Sequence, residues 1–375
     1  MTASASSRDK PAAYQSNVEH GPKYAELPRI GVVIPYFQCQ SGLLHRALSS
    51  VCAQEYRPVQ VVVVDDGSPR PAAEEITTTL SDAITGLTVI RQANQGVAAA
   101  RNAALDALDE EITAIAFLDS DDYWDSAHLR NAAVALSRGA DFYFANLRIE
   151  GTTTDWFRKQ TRHDLLVNAR PMPGAPGIMQ WAGGAAGLMV DKQPVQTSGV
   201  VFRRALMPQV RFPQTLRGAA CEDLSVWWVL LARSSAIMYC PEPTVTYGTG
   251  GVGLYQHASF GSGRFLVRRA DWIRYTRHVL NNYHLSPSER RFLQERLVGH
   301  REAALVSSLH LLRRQQQDAL KEILYLFRDD PVCAAAWCRA LPKLLYTKLR
   351  RASVTAARKP ADADPPEHTG APPAP

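Results

Sequence analysis

No two cysteines stand at C-x-x-C spacing: the six, Cys39, Cys52, Cys221, Cys240, Cys333 and Cys338, lie apart and mostly within apolar or helical surroundings. That usage predicts a reduced, cytosolic compartment. Nowhere do about 18 apolar residues run together, and the N-terminus MTASASSRDKPAAYQ lacks the apolar core of a signal peptide. The chain is therefore expected in the cytoplasm, neither spanning a membrane nor exported by that route. It has no internal repeat. Nor does one charge dominate: 42 Lys+Arg against 36 Asp+Glu leave +6. So mild an excess suits anionic ligands or an anionic membrane surface and does not by itself imply nucleic acid.

What is present is apolar material for a sizeable core, 46% of 375 residues, enough for one large or two ordinary domains. Residues 1–28 are polar and Pro-containing and residues 356–375 are Pro/Ala-rich, compositions that bury too little apolar surface to order. Both ends are expected to be tails. Between Arg29 and Asn146 apolar runs alternate with helical patterns: IGVVIP then LLHRALSSVCAQ, VQVVVVDD then AAEEITTTL, LTVI then GVAAARNAALDAL, AIAFLD then AHLRNAAVAL, and finally DFYFAN. Short Val/Ile/Phe-rich strands separated by helices predict an α/β fold with a doubly wound, mostly parallel sheet flanked by helices. Such sheets bind ligands at the C-terminal edge of their strands. The polar punctuation falls there: Pro35-Tyr36, Asp65-Asp66-Gly67-Ser68 and Asp119 to Asp122. From about 147 to 255 the periodicity weakens, and RPMPGAPGIMQWAGGAAG predicts long loops; after Gly263 helical patterning returns.

Asp119, Asp121 and Asp122 fall within four residues, straight after an apolar run. Like charges this close repel, so the cluster predicts a cation. Hard divalent ions such as Mg²⁺ or Mn²⁺ take one or two protein carboxylates and fill their other positions with phosphate oxygens and water, which fits a nucleotide diphosphate. A plain turn, with Asp122 or Asp125 capping the next helix, explains one carboxylate and leaves two. In Asp65-Asp-Gly-Ser-Pro69, Ser68 reads as an N-cap with Pro69 at the first helical position. Asp65 and Asp66 remain free to accept hydrogen bonds from a base or ribose.

VVIPYF, VVVVDDGS, NQGVAAARN and FLDSDD, in that order and about 30 residues apart, resemble the nucleotide-sugar-binding half of family 2 glycosyltransferases, which have the GT-A fold. The resemblance implies an inverting, metal-dependent sugar transfer from a nucleotide diphosphate donor. It implies that Pro35 and Tyr36 line the base pocket and that Asp65 or Asp66 reads the base. Arg101 would lie near the ribose or diphosphate, as would Asp119 and Ser120, while Asp121 and Asp119 would hold the metal. An inverting transfer also needs a carboxylate base on the acceptor side. Cys221-Glu-Asp-Leu-Ser-Val-Trp-Trp228 resembles the family's Glu-Asp motif, which makes Asp223 the expected base with Glu222 in support. Ser225 departs from the acidic or aromatic residue often found two positions after that Asp. Helix-dipole stabilisation is the alternative role for both acids.

Thr197-Ser-Gly-Val-Val-Phe-Arg-Arg204 resembles the segment bordering the acceptor pocket, so Thr197 and Ser198 are expected on acceptor hydroxyls, or simply at a strand's polar start. His257 is expected as a further metal or diphosphate contact, against the ordinary structural role of a lone histidine. Gly248-Thr-Gly-Gly-Val-Gly253 matches G-x-G-x-x-G, but no helical pattern follows it, so a lid over the donor is expected rather than a dinucleotide site. Residues 331–360 carry seven Arg and Lys and no acid among Trp337 and several leucines, a pattern that suits an anionic membrane surface or a solvated basic helix face.

The expected organisation is a tail (1–28), a GT-A domain (29–255, its nucleotide-sugar half ending at 146), a helical C-terminal region (256–355) and a second tail. The expected activity is transfer of a sugar from a UDP- or similar nucleotide-sugar to a glycan or lipid-linked acceptor, in cell-surface polysaccharide biosynthesis. A sugar-1-phosphate nucleotidyltransferase is the enzymic alternative, though VVIPYFQCQSG lacks a Gly-rich basic loop. A non-catalytic sugar-binding scaffold is the other, against which the intact acids argue.

Overall fold

The protein is described by a computed structural model over residues 27–159, 168–189, 194–208, 210–214, 221–250, 260–283, 285–314, 319–335 and 337–338. It divides into two units, residues 1–214 with 222–253, and residues 215–221 with 254–375.

In the first unit, unbroken runs of Val, Ile and Phe form the fully buried central strands, as sheets covered on both faces require, while edge strands such as Leu87–Arg91 are partly exposed. The strands are β1 (Ile30–Tyr36), β2 (Gln60–Asp65), β3 (Leu87–Arg91), β4 (Ala114–Phe117), β5 (Tyr123–Trp124), β6 (Phe142–Ile149), β7 (Ala169–Pro171), β8 (Met179–Trp181), β9 (Val200–Arg203) and β10 (Ile237–Tyr247). Their order is β3-β2-β1-β4-β9-β6-β10-β8-β7, with β5 pairing β10. β3, β2, β1 and β4 are mutually parallel, and β6 is parallel to β10; β9 runs antiparallel between β4 and β6. The helices α1 (Leu43–Cys52), α2 (Thr78–Ala83), α3 (Val97–Asp106), α4 (His128–Ser137) and α5 (Glu222–Arg233) accompany this sheet. α5 is anchored by Trp227, fully buried and edge-on to Phe117, Phe142, Phe202 and Phe212. Aromatic packing of that kind fixes where the helix begins.

The alternating pattern before Asn146 thus produces the expected parallel half. The later region differs from the loops expected of it: β10 is eleven residues long and lies inside the sheet. Pro241 and Pro243 disguise it, because proline cannot donate to a ladder; the strand accommodates them by register shifts around Pro243. The expected Ser68 cap is absent, as is the alternative cap by Asp122 or Asp125. Ser68 heads no helix, its hydroxyl instead accepting from Gln38 N, and α4 starts after Ala127 with no side-chain cap from Asp122 or Asp125.

The second unit contains α6 (Gly263–Asn282), α7 (Pro287–Arg313) and α8 (Ala319–Asp329). α7 opens with a capping box in which Ser286 and Glu289 satisfy each other's backbone N–H, and Pro287 supplies a preset first turn. Leu266, Ile273, Leu297, Leu311, Ile323 and Leu326 form its core. Arg301 and Arg277 hold Asp330, at 2.7 and 3.4 Å, and Arg274 binds Asp271 and Asp329. No helix among the described residues is long and apolar enough to cross a membrane. His257 and the basic stretch from 339 to 360 lie outside the described residues.

Candidate active site

The parallel strands β2, β1 and β4 end together, and hydrogen bonds tie the loops that follow them. Gln38, just past β1, donates its N–H to Ser68 Oγ at 3.0 Å and its side-chain amide to Ser120 Oγ at 3.2 Å. Asp66 N donates to Tyr36 O at 2.9 Å. Asp65 is buried, with Oδ1 accepting from Ser68 N and Oδ2 from Ala72 N, at 2.8 and 2.9 Å. Asp66, equally buried, accepts from Gln92 Nε2 and Gln95 N through Oδ1 and from Gly96 N through Oδ2, at 2.7 to 2.9 Å. Its charge therefore lies at the N-terminus of α3, where the helix dipole favours an anion. Both aspartates shape the loops of this edge.

Tyr36 differs from the expectation of a pocket wall. Its side chain is 1% exposed within the core, and burial, reinforced by Glu75 and Asp65, pushes its hydroxyl up to about 12. Strand alternation explains this, since successive side chains face opposite ways. The next residue, Phe37, is 37% exposed and is the aromatic turned outward at this edge. The Tyr-Phe dipeptide contained that alternative, which only the strand's phase could decide.

The acidic turn after β4 is held by β9 and β10. Ser198 is buried, donating from its hydroxyl to Asp122 Oδ2 at 2.6 Å and accepting from Asp119 N at 3.0 Å. It is thus committed to bracing the turn, which leaves its hydroxyl no proton for an acceptor sugar. Trp124 Nε1 donates to Ser198 O at 2.7 Å, and Gly248 N donates to Asp122 Oδ1 at 2.9 Å. Arg46 of α1 donates to Asp121 O at 3.0 Å while pairing with Glu150 at 2.7 Å.

Gly248 is required by crowding: a Cβ there would lie 1.7 Å from Asp121 O and 2.6 Å from Arg46 Nη2. Gly248→Ala should displace the acidic turn, costing the ~1–3 kcal/mol typical of overpacking. Denaturant unfolding measures the effect; a wild-type value would refute the crowding argument.

Arg101 connects this turn to α5. It is one turn into α3, its side chain 4% exposed, and it reaches Asp119 Oδ1 and Glu222 Oε1 at 2.8 Å each. Its guanidinium lies 5.3 Å from the Phe212 ring centroid, and Asn102 clamps Phe212 by donating to its O and accepting from its N. Next to Glu222, Asp223 Oδ2 accepts from Thr197 Oγ1 at 2.8 Å. The residues expected on the donor side (Arg101, Asp119) and on the acceptor side (Thr197, Glu222, Asp223) thus form one hydrogen-bonded constellation at the end of the sheet.

Its electrostatics are those of crowded carboxylates. Burial, then Asp119, pushes Asp121 up to about 6, with Arg46 opposing. Burial, Asp121 and Asp119 hold Asp122 well above the usual carboxylate range, against the hydrogen bonds from Ser198 and Gly248. Burial and then Asp223 push Glu222 up to about 8, against the pull of Arg101. Burial alone would lower Arg101, but Asp119, Glu222 and Asp223 raise it. At Glu222 desolvation outweighs pairing, as is common for ion pairs taken out of water.

Hydrogen bonds engage both oxygens of Asp122 and Oδ1 of Asp119. Burial makes the charges of both Asp121 and Asp122 costly, and of the two Asp121 is the one not held by Ser198 and Gly248. Among the described residues no three His, Cys, Asp or Glu side chains converge as a closed metal cage. The residues fit an open site instead, in which one or two carboxylates share a hard divalent ion with ligand oxygens.

Residues 31–194 match the family model described as Glycosyl transferase family 2. The chain is 29% identical over 324 residues to the succinoglycan biosynthesis protein ExoW of Rhizobium meliloti (strain 1021), covering 85% of this chain and 99% of that protein. Among solved structures, S. aureus TarS 1-349 in complex with UDP-GlcNAc superposes with a TM-score of 0.51 at 14% identity, over 84% of this chain and 92% of that one. Mannosyltransferase PcManGT from Pyrobaculum calidifontis, in complex with GDP-Man and Mn²⁺, gives 0.50 at 15% identity, over 91% and 89%. At such identities the two structures speak for the fold alone.

Proposed function

We propose that this chain, which has the GT-A fold and matches the glycosyl transferase family 2 model over residues 31–194, is a member of that family and moves one sugar, with inversion, from a nucleotide diphosphate-sugar to a hydroxyl of a glycan or lipid-linked acceptor. UDP-sugars are the favoured donors. The likeness to a succinoglycan biosynthesis protein over nearly its whole length supports a role in cell-surface polysaccharide biosynthesis. The observation that carries the proposal is the Asp119–Arg101–Glu222 bridge with Asp223 beside it. A transferase needs a donor side and a base side held in fixed relation, and these contacts hold them so.

In this scheme the loops shaped by Asp65 and Asp66 receive the base and ribose, with Pro35 and Phe37 at the rim. Arg101 orients Asp119 towards the donor, and Ser198 and Gly248 keep the turn in place. Asp223 takes the acceptor's hydroxyl proton as that oxygen attacks the anomeric carbon opposite the departing diphosphate. Thr197 fixes the Asp223 carboxylate, and Glu222 supports it. Asp121, with Asp119, would hold Mn²⁺ or Mg²⁺, which when bound supplies charge stabilisation to the leaving diphosphate. The enzyme works from the cytoplasm in this proposal, and its basic segment at 331–360 rests peripherally on the inner face of the membrane.

A donor-hydrolysis assay with a panel of nucleotide-sugars and Mn²⁺ tests the proposal: one UDP-sugar should be consumed well above the rest, and no turnover of any donor would reject it. Asp121→Ala should abolish metal-dependent UDP binding without lowering stability, because removing one of three crowded carboxylates relieves repulsion. Unchanged UDP affinity in Mn²⁺ by calorimetry would remove Asp121 from the donor site.

A further inference from the structure

Beside the acidic turn, four stretches of chain meet on one ion pair. Arg46, in the first turn of α1, donates from Nη1 to Glu150 Oε1 at 2.7 Å and from Nη2 to Asp121 O at 3.0 Å. Its guanidinium lies 4.6 Å from the ring centroid of Tyr123, whose hydroxyl donates to the same Glu150 oxygen at 3.4 Å. Glu150, which follows β6, accepts through Oε2 from Thr249 N at 2.7 Å and from Thr249 Oγ1 at 2.9 Å. Its own N–H donates to Tyr247 O, at the end of β10, at 3.0 Å. β6 and β10 are neighbours in the sheet, so their ends arrive together, and the ion pair ties both to α1 and to the turn.

The two side chains are partly exposed, 33% for Arg46 and 26% for Glu150. Ion pairs in that position add little to stability. What these contacts fix is direction. A guanidinium is a rigid planar fork, so engaging two of its N–H groups at once leaves it one orientation. One prong holds the Asp121 carbonyl and thereby the backbone from which the Asp121 carboxylate projects. The other is held by Glu150, which also balances the arginine's charge. Both prongs are thus engaged away from the carboxylate, and the turn is braced from its carbonyl side.

We propose that Arg46 and Glu150 are positioning residues for the donor's divalent ion, acting through the Asp121 backbone to aim its carboxylate. The proposal rests on the reading of Asp121 as a holder of that ion. The two ways in which Arg46 can act on the ion have opposite signs. As a bare positive charge near Asp121 it repels a cation, so Arg46→Gln would tighten Mn²⁺-dependent binding. As the brace of the turn it favours the cation, and the same change weakens that binding.

The test titrates UDP into the full chain by calorimetry at a series of fixed Mn²⁺ concentrations, for wild type, Arg46→Gln, Arg46→Lys, Glu150→Gln and the Arg46→Gln/Glu150→Gln double variant. Mn²⁺-dependent UDP affinity should fall ~10- to 100-fold in each glutamine variant, the range typical when a partner that orients a metal ligand is removed. Arg46→Lys keeps the charge and loses the fork, so it should not restore the affinity. The double variant should be no weaker than the weaker single one, because the pair acts as one brace. Melting temperatures near wild type report that the variants fold. A merely structural role would lower those temperatures and leave the Mn²⁺ dependence of UDP affinity as in the wild type. Glu150→Gln keeps the test decisive if Arg46→Gln does not fold, since an amide has one acceptor oxygen and cannot serve Arg46 and Thr249 as the carboxylate does. No Mn²⁺-dependent UDP binding by the wild-type chain would reject the donor-site reading and this proposal with it. Wild-type binding that Arg46→Gln retains or exceeds would overturn the positioning role and leave the donor site standing.

Discussion

Asp223→Asn is expected to lower kcat by ~10² to 10⁴, the range typical of general acid–base catalysis, while donor affinity stays at its wild-type value. The base acts on the acceptor, so nothing about donor binding should depend on its charge. Geometry supports this separation: Asp223 reaches Thr197 at 2.8 Å, whereas the contact with the acidic turn is made by Arg101 and Glu222. The rival role is stabilisation of the α5 N-terminus through the helix dipole, worth about 0.3–1 kcal/mol at a surface. A dipole role predicts a lower melting temperature with turnover intact; a base role predicts the reverse. Glu222→Gln should cost less turnover than Asp223→Asn, because Glu222 is buried against Arg101 and meets the acceptor only through its neighbour. Turnover near wild type in Asp223→Asn with a saturating acceptor would move suspicion to Glu222.

The parallel half of the sheet was legible because each strand there is an unbroken apolar run with its polar punctuation at one end. The antiparallel insertion of β9 between β4 and β6 was not, since a four-residue strand carries no statement of which neighbours it will find. β10 was hidden by its prolines. Within the site, the residue types were readable and their partnerships were not. Ser198 looked like an acceptor contact because it is polar and lies beside a strand; only the fold shows its hydroxyl shared between Asp119 and Asp122. Arg101 looked like a donor contact, yet Glu222, which it grips, stands 121 positions away. Local pattern carries no signal at that separation. Gly248 lies in a glycine-rich run expected to form a lid, and only the fold shows that a Cβ there would collide with Asp121 O.

Arg101→Met should destabilise the fold by ~3–5 kcal/mol, the cost of removing one partner from a buried ion pair and leaving the other charge uncompensated. Arg101 and Glu222 side chains are 4% and 5% exposed, so solvent offers Glu222 little relief. Above about pH 8, where burial no longer keeps Glu222 protonated, Glu222→Gln in the same chain removes the stranded charge, and there the double variant should be more stable than Arg101→Met alone. The sign of the pH dependence follows from Glu222. Its folded value, about 8, is raised above the ordinary range by burial and Asp223, and losing Arg101 removes an influence that lowers it. A carboxyl raised in the fold favours folding while it keeps its proton, below about 4.3, and that contribution is lost as pH rises through the folded value. The gap in unfolding free energy between wild type and Arg101→Met should accordingly stay nearly constant up to about pH 7 and widen as pH rises through about 8 towards pH 9, where Glu222 ionises in the wild type but keeps its proton longer without Arg101. Denaturant titrations of the wild type, both single variants and the double variant across that window measure it. A gap independent of pH, or a double variant no more stable than Arg101→Met, would mean that Arg101 stabilises the fold by packing against Phe212 and not by neutralising the acids on either side of the site.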